Sequence, residues 1–123
     1  MIACAGAKRE GGVRTTSVVR VNMKLCSFVA IVEATELDDL TYQMRVESPC
    51  EKIQKFVIGL ENLTLEDISD WPNSKVQKRM LEMKLGASCL VPSGIMNAAR
   101  LEAGLISKSL AEEVKFISID FLS

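Results

Sequence analysis

The residues best suited to chemistry in this sequence are three cysteines that fall at the ends of predicted secondary-structure elements. Cys26 lies at the seam between two strand patterns, Cys50 is the second residue of a helix pattern, and Cys89 lies three residues before Pro92, where another helix opens. Side chains at such positions can converge without entering the core. Thiolates are soft ligands that suit zinc ions and iron–sulfur clusters. The sequence therefore predicts that Cys26, Cys50 and Cys89 are metal ligands.

The alternative to a metal-binding role is that these cysteines only pack in the interior. Free cysteine is among the most buried residue types and behaves as a small hydrophobe. The chain has no C-x-x-C motif, so neither a zinc ribbon nor a thioredoxin-like site is indicated. The position of Cys50 favours a chemical role instead. The N-terminus of a helix offers unpaired backbone N–H groups and the positive end of the helix dipole, and both favour the thiolate.

Histidine is absent from the chain, and this excludes several classes of function. The commonest general base and the commonest zinc ligand are both missing. A Ser-His or Cys-His mechanism within one chain is excluded. A thiol enzyme with Cys50 as its nucleophile is the weakest of the hypotheses, and we expect a protein that is not an enzyme.

The composition of the chain narrows the kinds of partner that we expect the protein to bind. The 123 residues fit one domain, and 15 basic against 16 acidic residues give a net charge of −1. With no basic excess and only 5% aromatic residues, nucleic acid is not an expected partner. No apolar stretch is long enough for a membrane span, and the mildly apolar start is not ordered like a signal peptide. We expect a cytoplasmic protein whose thiols are free or metal-bound rather than paired in disulfides.

The spacing of hydrophobic residues is typical of strands in one part of the chain and of helices in another, which predicts an α+β fold. Residues 1–16, which include Cys4, show no periodicity and are predicted to form a flexible arm, with a single domain at 17–123. Period-2 alternation from Val18, a β-branched run from Phe28 and renewed alternation from Tyr42 predict a three-strand antiparallel meander.

The later part of the chain is predicted to be helical before a closing strand. Ser48 with Glu51, Thr64 with Asp67, and Ser74 with Gln77 are candidate capping boxes, with Pro49 suited to the first helical position. A further helix opens at Pro92 or Ser93, and alternation at residues 114–121 predicts the closing strand. The expected fold is thus an antiparallel sheet, a meander plus a C-terminal strand, with three or four helices on one face.

Three stretches, 26–28, 46–50 and 87–92, carry a resemblance to a known family. Together with Ile95, Ala98 and residues 103–105, they resemble a family of small uncharacterised proteins from methanogens and other strict anaerobes, over roughly residues 19–120.

The layout is also similar to that of the U-type iron–sulfur cluster assembly scaffolds. Those scaffolds have one cysteine in a meander and two at the starts of later helices, as Cys26, Cys50 and Cys89 do here at intervals of 24 and 39 positions. The resemblance implies the scaffold fold and a three-thiolate site. The chain departs from the scaffolds in lacking an acidic residue shortly after Cys26, a histidine before Cys89, and in having the closing strand.

A fourth metal ligand must therefore come from elsewhere. Glu51 and Ser88 are candidates, as are water, a bound thiol or Cys4. The leading expectation is an accessory or scaffold-like protein that binds zinc or an iron–sulfur cluster. The alternative is a non-catalytic interaction module with structural cysteines, which would act as a homodimer through a sheet edge or the apolar residues 114–121.

Overall fold

The computed structural model describes residues 15–123. Of the predicted arm, residues 1–14 lie outside the described residues, and Cys4 lies there too. Thr16 is already the first residue of a strand.

The predicted meander is confirmed. Strands β1 (Thr16–Met23), β2 (Phe28–Glu36) and β3 (Thr41–Glu47) pair antiparallel in chain order, with a short 3₁₀-helix, Asp38–Leu40, before β3. Alternate side chains enter the core, as the period-2 pattern requires. The buried ones are Val21, Met23, Ala30, Val32, Ala34, Tyr42 and Met44. The opposite face of the sheet carries polar side chains such as Arg20 and Glu33, so only one face is covered.

The fourth strand is not the predicted one. Strand β4 (Asn62–Thr64) pairs antiparallel with β3, giving the order β1-β2-β3-β4 among the described residues. Three residues are too few to show a period in the sequence. The expected closing strand at 114–121 is wrong: residues 108–114 form a helix, and residues 115–123 have no regular secondary structure. Residues 117–121 do alternate, but no strand within residues 15–123 pairs with the segment.

Five α-helices are found within residues 15–123, instead of the three or four predicted. They are α1 (Glu51–Phe56), α2 (Leu65–Ser69), α3 (Lys75–Met83), α4 (Val91–Glu102) and α5 (Lys108–Val114). Helix α4 lies across β1 and β2 and buries Ile95, Ala98 and Ala99 against them. Gly94 permits this close approach, because a Cβ at this position would overlap Cγ2 of Val21.

Two of the three predicted N-caps are found, and one of them is a full capping box. The Thr64 hydroxyl accepts a hydrogen bond from the Asp67 backbone N–H and the Asp67 carboxylate accepts from the Thr64 backbone N–H, which is the predicted capping box. Ser74 caps α3 through the N–H of Val76, so the capping box predicted for Ser74 with Gln77 is wrong. These two caps fix the first turns of α2 and α3.

The capping box predicted for Ser48 and Glu51 is wrong. The Ser48 hydroxyl accepts from the backbone N–H of Cys50 at 3.1 Å, so it closes a tight turn two residues long. The residue before a proline avoids helical conformation, and Pro49 holds the chain extended there. Helix α1 consequently begins at Glu51, and Cys50 occupies its N-cap instead of its second position.

A buried carboxylate ties the far end of α4 to the sheet. Glu102 accepts hydrogen bonds from the hydroxyls of Thr15 (2.5 Å) and Ser17 (2.7 Å) and from the backbone N–H of Glu36 (3.1 Å). The ammonium of Lys108, in α5, lies 3.9 Å from the same carboxylate. A charge with no exposed side-chain surface needs such partners, and Glu102 thereby joins β1, β2, α4 and α5.

Candidate functional site

The antiparallel meander brings the three cysteines to one end of the sheet. Strand β1 ends at Met23, β2 begins at Phe28, and β3 ends at Glu47, so these three termini lie side by side. Cys26 is in the turn between β1 and β2, and Cys50 follows β3 by three residues. Cys89 immediately precedes α4, whose first turns pack on β1.

Cys26 is exposed in a turn that is closed by its own backbone. Its N–H donates to the carbonyl of Met23 at 3.3 Å, and its thiol lies 3.8 Å from the same oxygen. Ser27, the next residue, has a φ of 65°, in the left-handed region that side chains other than glycine seldom occupy. The turn therefore presents the Cys26 sulfur at the surface, where a ligand can reach it.

Cys50 is half-buried at the start of α1. Its backbone N–H is held by Ser48, and its carbonyl accepts from the N–H of Gln54 at 3.0 Å, the first hydrogen bond of the helix. Its side chain packs against the hydrophobic core without being enclosed by it. Hydrogen bonds thus fix the backbone on both sides of Cys50, while part of its thiol stays exposed to solvent.

Cys89 is held between a turn and the first residues of α4. Its N–H donates to the carbonyl of Gly86 at 3.1 Å, and the N–H of Leu90 donates to Sδ of Met23 at 3.3 Å. Burial raises the pKa of the Cys89 thiol above its ordinary value, while the backbone N–H of Val91, which donates to it, lowers that pKa. The negative charges of ionised Cys50 and Cys26 raise the pKa further.

The strand order and the packing of α4 on β1 place the three thiols at one end of the sheet. The upward effect of Cys50 and Cys26 on the pKa of Cys89 agrees with this placement, because water and salt screen more distant charges. Cys26, Cys50 and Cys89 thus share one end of the sheet, and their role as metal ligands stays a prediction.

The three sulfurs do not form a finished metal site. In the part of the chain that the structure describes, no three Cys, Asp or Glu side chains already stand in metal-binding geometry. The donor set nevertheless fits a soft ion, because its three main donors are thiols. Glu51 and Ser88, the candidate fourth ligands, are both exposed next to Cys50 and Cys89.

The surface around the cysteines is apolar. Four partly to largely exposed hydrophobic side chains share this end of the sheet: Leu25, Phe28, Val29 and Leu90. An apolar surround disfavours isolated thiolates and so increases the benefit of a bound cation. Residues 15–123 contain no histidine that would compete as a ligand.

Sequence reasoning missed one residue that positions the site. Met23 is 9% exposed and, by its alternation, belongs to the core face of β1. Its sulfur also accepts the hydrogen bond from Leu90, and its carbonyl accepts the one from Cys26. A methionine inside a strand pattern gives no sign of such a role, since thioether acceptors are weak and core methionines are common.

The fold and this end of the sheet define a small α+β protein with a cluster of free thiols. Residues 17–114 match the model of a family described as "Family of unknown function (DUF6951)", and the chain belongs to this family. No curated protein and no solved structure matches the chain. Among the described residues, no helix has the length and apolar character needed to cross a membrane.

Proposed function

We propose that this protein binds a soft metal ion, zinc or the iron of an iron–sulfur cluster, through the thiolates of Cys26, Cys50 and Cys89. The observation that carries the proposal is the placement of three free cysteines at one end of the sheet, where Cys50 and Cys26 raise the pKa of Cys89. Three thiols that repel one another when ionised are stabilised together by a shared cation. The similarity in cysteine layout to the U-type scaffolds supports the same conclusion.

The proposed site is open and assembles on binding. Cys50 and Cys89 are backed by the core, whereas Cys26 is in an exposed turn. Zinc–sulfur bonds of about 2.3 Å require the three sulfurs to approach one another more closely than thiols in the metal-free protein. The turn at residues 24–27 is the element that would move, because the other two cysteines are fixed by helix starts. An open fourth position suits an accessory or scaffold-like role in which the metal is later passed on.

The test is elemental analysis with an ultraviolet–visible spectrum on full-length protein purified without oxygen. We expect about one zinc per chain, or the absorbance of an iron–sulfur cluster after reconstitution. Each of Cys26→Ser, Cys50→Ser and Cys89→Ser should lose the metal, while Ser109→Ala, an exposed control on α5, should keep it. Wild-type protein that is folded but takes up neither zinc nor iron would refute the proposal.

The fourth ligand is tested in the same way. Glu51→Gln and Ser88→Ala each remove one candidate donor from an exposed position, so neither should disturb the fold. Loss of about tenfold or more in zinc affinity in only one of them shows that this residue is either the ligand or the group that supports it. Unchanged affinity in both assigns the position to water, a small thiol or Cys4.

The alternative class, a non-catalytic interaction module, is favoured by a separate observation. The C-terminal residues expose an unusual amount of apolar surface. This feature is independent of the cysteines and is compatible with the metal site.

A further inference from the structure

The two edges of the sheet differ in how well they are protected. Strand β4, at one edge, has only three residues. Strand β1, at the other edge, has eight residues and no proline, and within residues 15–123 no strand pairs with its outer side. Proteins usually blunt an edge by making it short or by placing proline there, since an open edge invites another strand. By this criterion β1 is the unprotected edge.

The same chain also holds a segment with the pattern of a strand but no partner. The C-terminal segment (residues 115–123) alternates apolar and polar side chains at residues 117–121. Its large apolar residues are between 69% and 93% exposed: Phe116, Ile117, Ile119, Phe121 and Leu122. A lone exposed apolar residue needs no explanation, whereas five within seven positions mark an interaction site.

We infer that the C-terminal segment of one copy of this protein adds as a strand to the outer edge of β1 in a second copy. The second copy returns its own segment, which makes a two-fold symmetric dimer. An added strand satisfies the free N–H and C=O groups of the edge and offers alternate side chains to the partner. The nine residues after α5 suffice to pair with the eight of β1.

The charges of the two strands are complementary. One face of the C-terminal segment carries Ile117, Ile119 and Phe121, and the other carries Ser118 and Asp120 with Phe116 and Leu122 at either end. If the apolar face continues the covered side of the sheet, Asp120 projects from the open side. On that side β1 presents Arg20, which is exposed and has no ion pair to any described residue. Opposite charges on neighbouring strands stabilise their pairing.

The apolar face of the segment supplies much of the area that a dimer needs. Each aromatic side chain can bury about 150–250 Å², so the Phe121 rings of two exchanged segments contribute roughly 300–500 Å². The four isoleucines and the two covered strand edges add to this, toward the range of about 1,200–2,000 Å² for specific interfaces. A second copy supplies both halves of the contact, whereas an unrelated partner would leave either the segment or the edge unused.

The experiment is sedimentation velocity on the full-length protein over a range of concentrations, with a metal chelator present so that metal binding plays no part. We expect a dimer that Ile119→Asp weakens by about 100-fold or more, as for an interface hot spot. Ile58→Asp, the same change at another exposed isoleucine, is the matched control and should leave the dimer intact. Circular dichroism checks that each variant is folded.

A charge exchange tests the register. Arg20→Asp and Asp120→Arg should each raise the dissociation constant about fivefold, and the double variant should restore it. Wild-type protein that stays monomeric, or a dimer indifferent to Ile119→Asp, would overturn the inference. So would a monomer in which the amides of residues 116–122 are protected from hydrogen exchange, since the segment would then pair with its own β1. Cys50→Ser should dimerise like the wild type, which separates this result from the metal site.

Discussion

The backbone N–H of Leu90 donates a hydrogen bond to Sδ of Met23 across 3.3 Å, although the two residues are 67 positions apart in the chain. The bond fastens the start of α4, and with it Cys89, to the last residue of β1. The carbonyl of the same methionine accepts the N–H of Cys26. One residue therefore sets the positions of two of the three thiols.

Replacing Met23 by leucine should loosen this connection without emptying the core. Leucine and methionine have similar volumes, so the cost in stability should stay below about 1.5 kcal/mol. The Leu90 amide would lose its acceptor, and its hydrogen exchange measured by NMR should become faster. Met44→Leu is the matched control, because Met44 is also buried in the sheet and should leave the Leu90 amide unchanged. Equal exchange rates in the two variants would show that the sulfur does not hold Leu90.

The ionisation of Cys89 should depend on the other two thiols. Its pKa is raised chiefly by burial and further by the charges of Cys50 and Cys26, so its thiolate forms at a higher pH than in an ordinary thiol. Alkylation follows the thiolate fraction. In a Cys4→Ser background, the pH midpoint of Cys89 alkylation should move down when Cys26 and Cys50 are replaced by serine.

The sign follows from removing negative neighbours, which makes the Cys89 thiolate easier to form. Ser88→Ala in the same background is the control, since it leaves both neighbouring thiols in place and should not move the midpoint. Peptide mass spectrometry reports alkylation at Cys89 directly. A midpoint that is the same with and without Cys26 and Cys50 would mean that the three thiols are too far apart to form one site.

Local sequence patterns predicted the meander correctly, and the same kind of pattern failed at the C-terminus. Alternation states which side chains of a segment must be buried together, and in β1–β3 the neighbouring strands follow within short turns. Residues 117–121 show a clear alternation as well. Whether a strand forms there depends on an available edge, which is a property of the tertiary or quaternary structure. The period of a sequence holds no information about that edge.

The candidate site was predictable in position but not in detail. Turn and capping signals placed Cys26, Cys50 and Cys89 at the ends of elements, and an antiparallel meander then sends those ends to one side. The exact start of α1 was missed, because Ser48 and Glu51 satisfy the pattern of a capping box while Pro49 holds the chain extended. The contact between Met23 and Leu90 was also missed, since it joins residues that no local pattern relates.

The carboxylate of Glu102 should be the most sensitive charged group in the fold. It accepts hydrogen bonds from Thr15, Ser17 and Glu36, and its side chain has no exposed surface. Glu102→Gln should lower the free energy of unfolding by about 1.5–3 kcal/mol, because hydrogen bonds to a charged acceptor are lost and an amide donor faces other donors.

Urea unfolding followed by circular dichroism measures this change. Glu82→Gln is the control, because Glu82 is 66% exposed and its ion pair with Arg79 lies at the surface. Such pairs contribute at most about 1 kcal/mol, and often nothing measurable. A Glu102→Gln variant as stable as Glu82→Gln would contradict the assignment of Glu102 as the residue that joins α4 to the sheet.

Gly94 should be the glycine least tolerant of a side chain, for a reason that connects the core to the thiols. A Cβ there overlaps Val21, so Gly94→Ala must push α4 away from β1, at a cost of about 1–3 kcal/mol. Gly86→Ala is the matched control, because nothing lies within 4 Å of its added Cβ. It should be neutral or slightly stabilising in thermal and urea unfolding.

The origin of the effect can be isolated with a double-mutant cycle. Val21→Ala alone leaves a cavity, but combined with Gly94→Ala it makes room for the new methyl group. The two changes together should therefore cost less than the sum of the single changes. Because Cys89 precedes α4, displacement of the helix should also weaken zinc binding in Gly94→Ala, and the double variant should recover part of it. Additive effects on stability would mean that α4 does not rest on Val21 at this point.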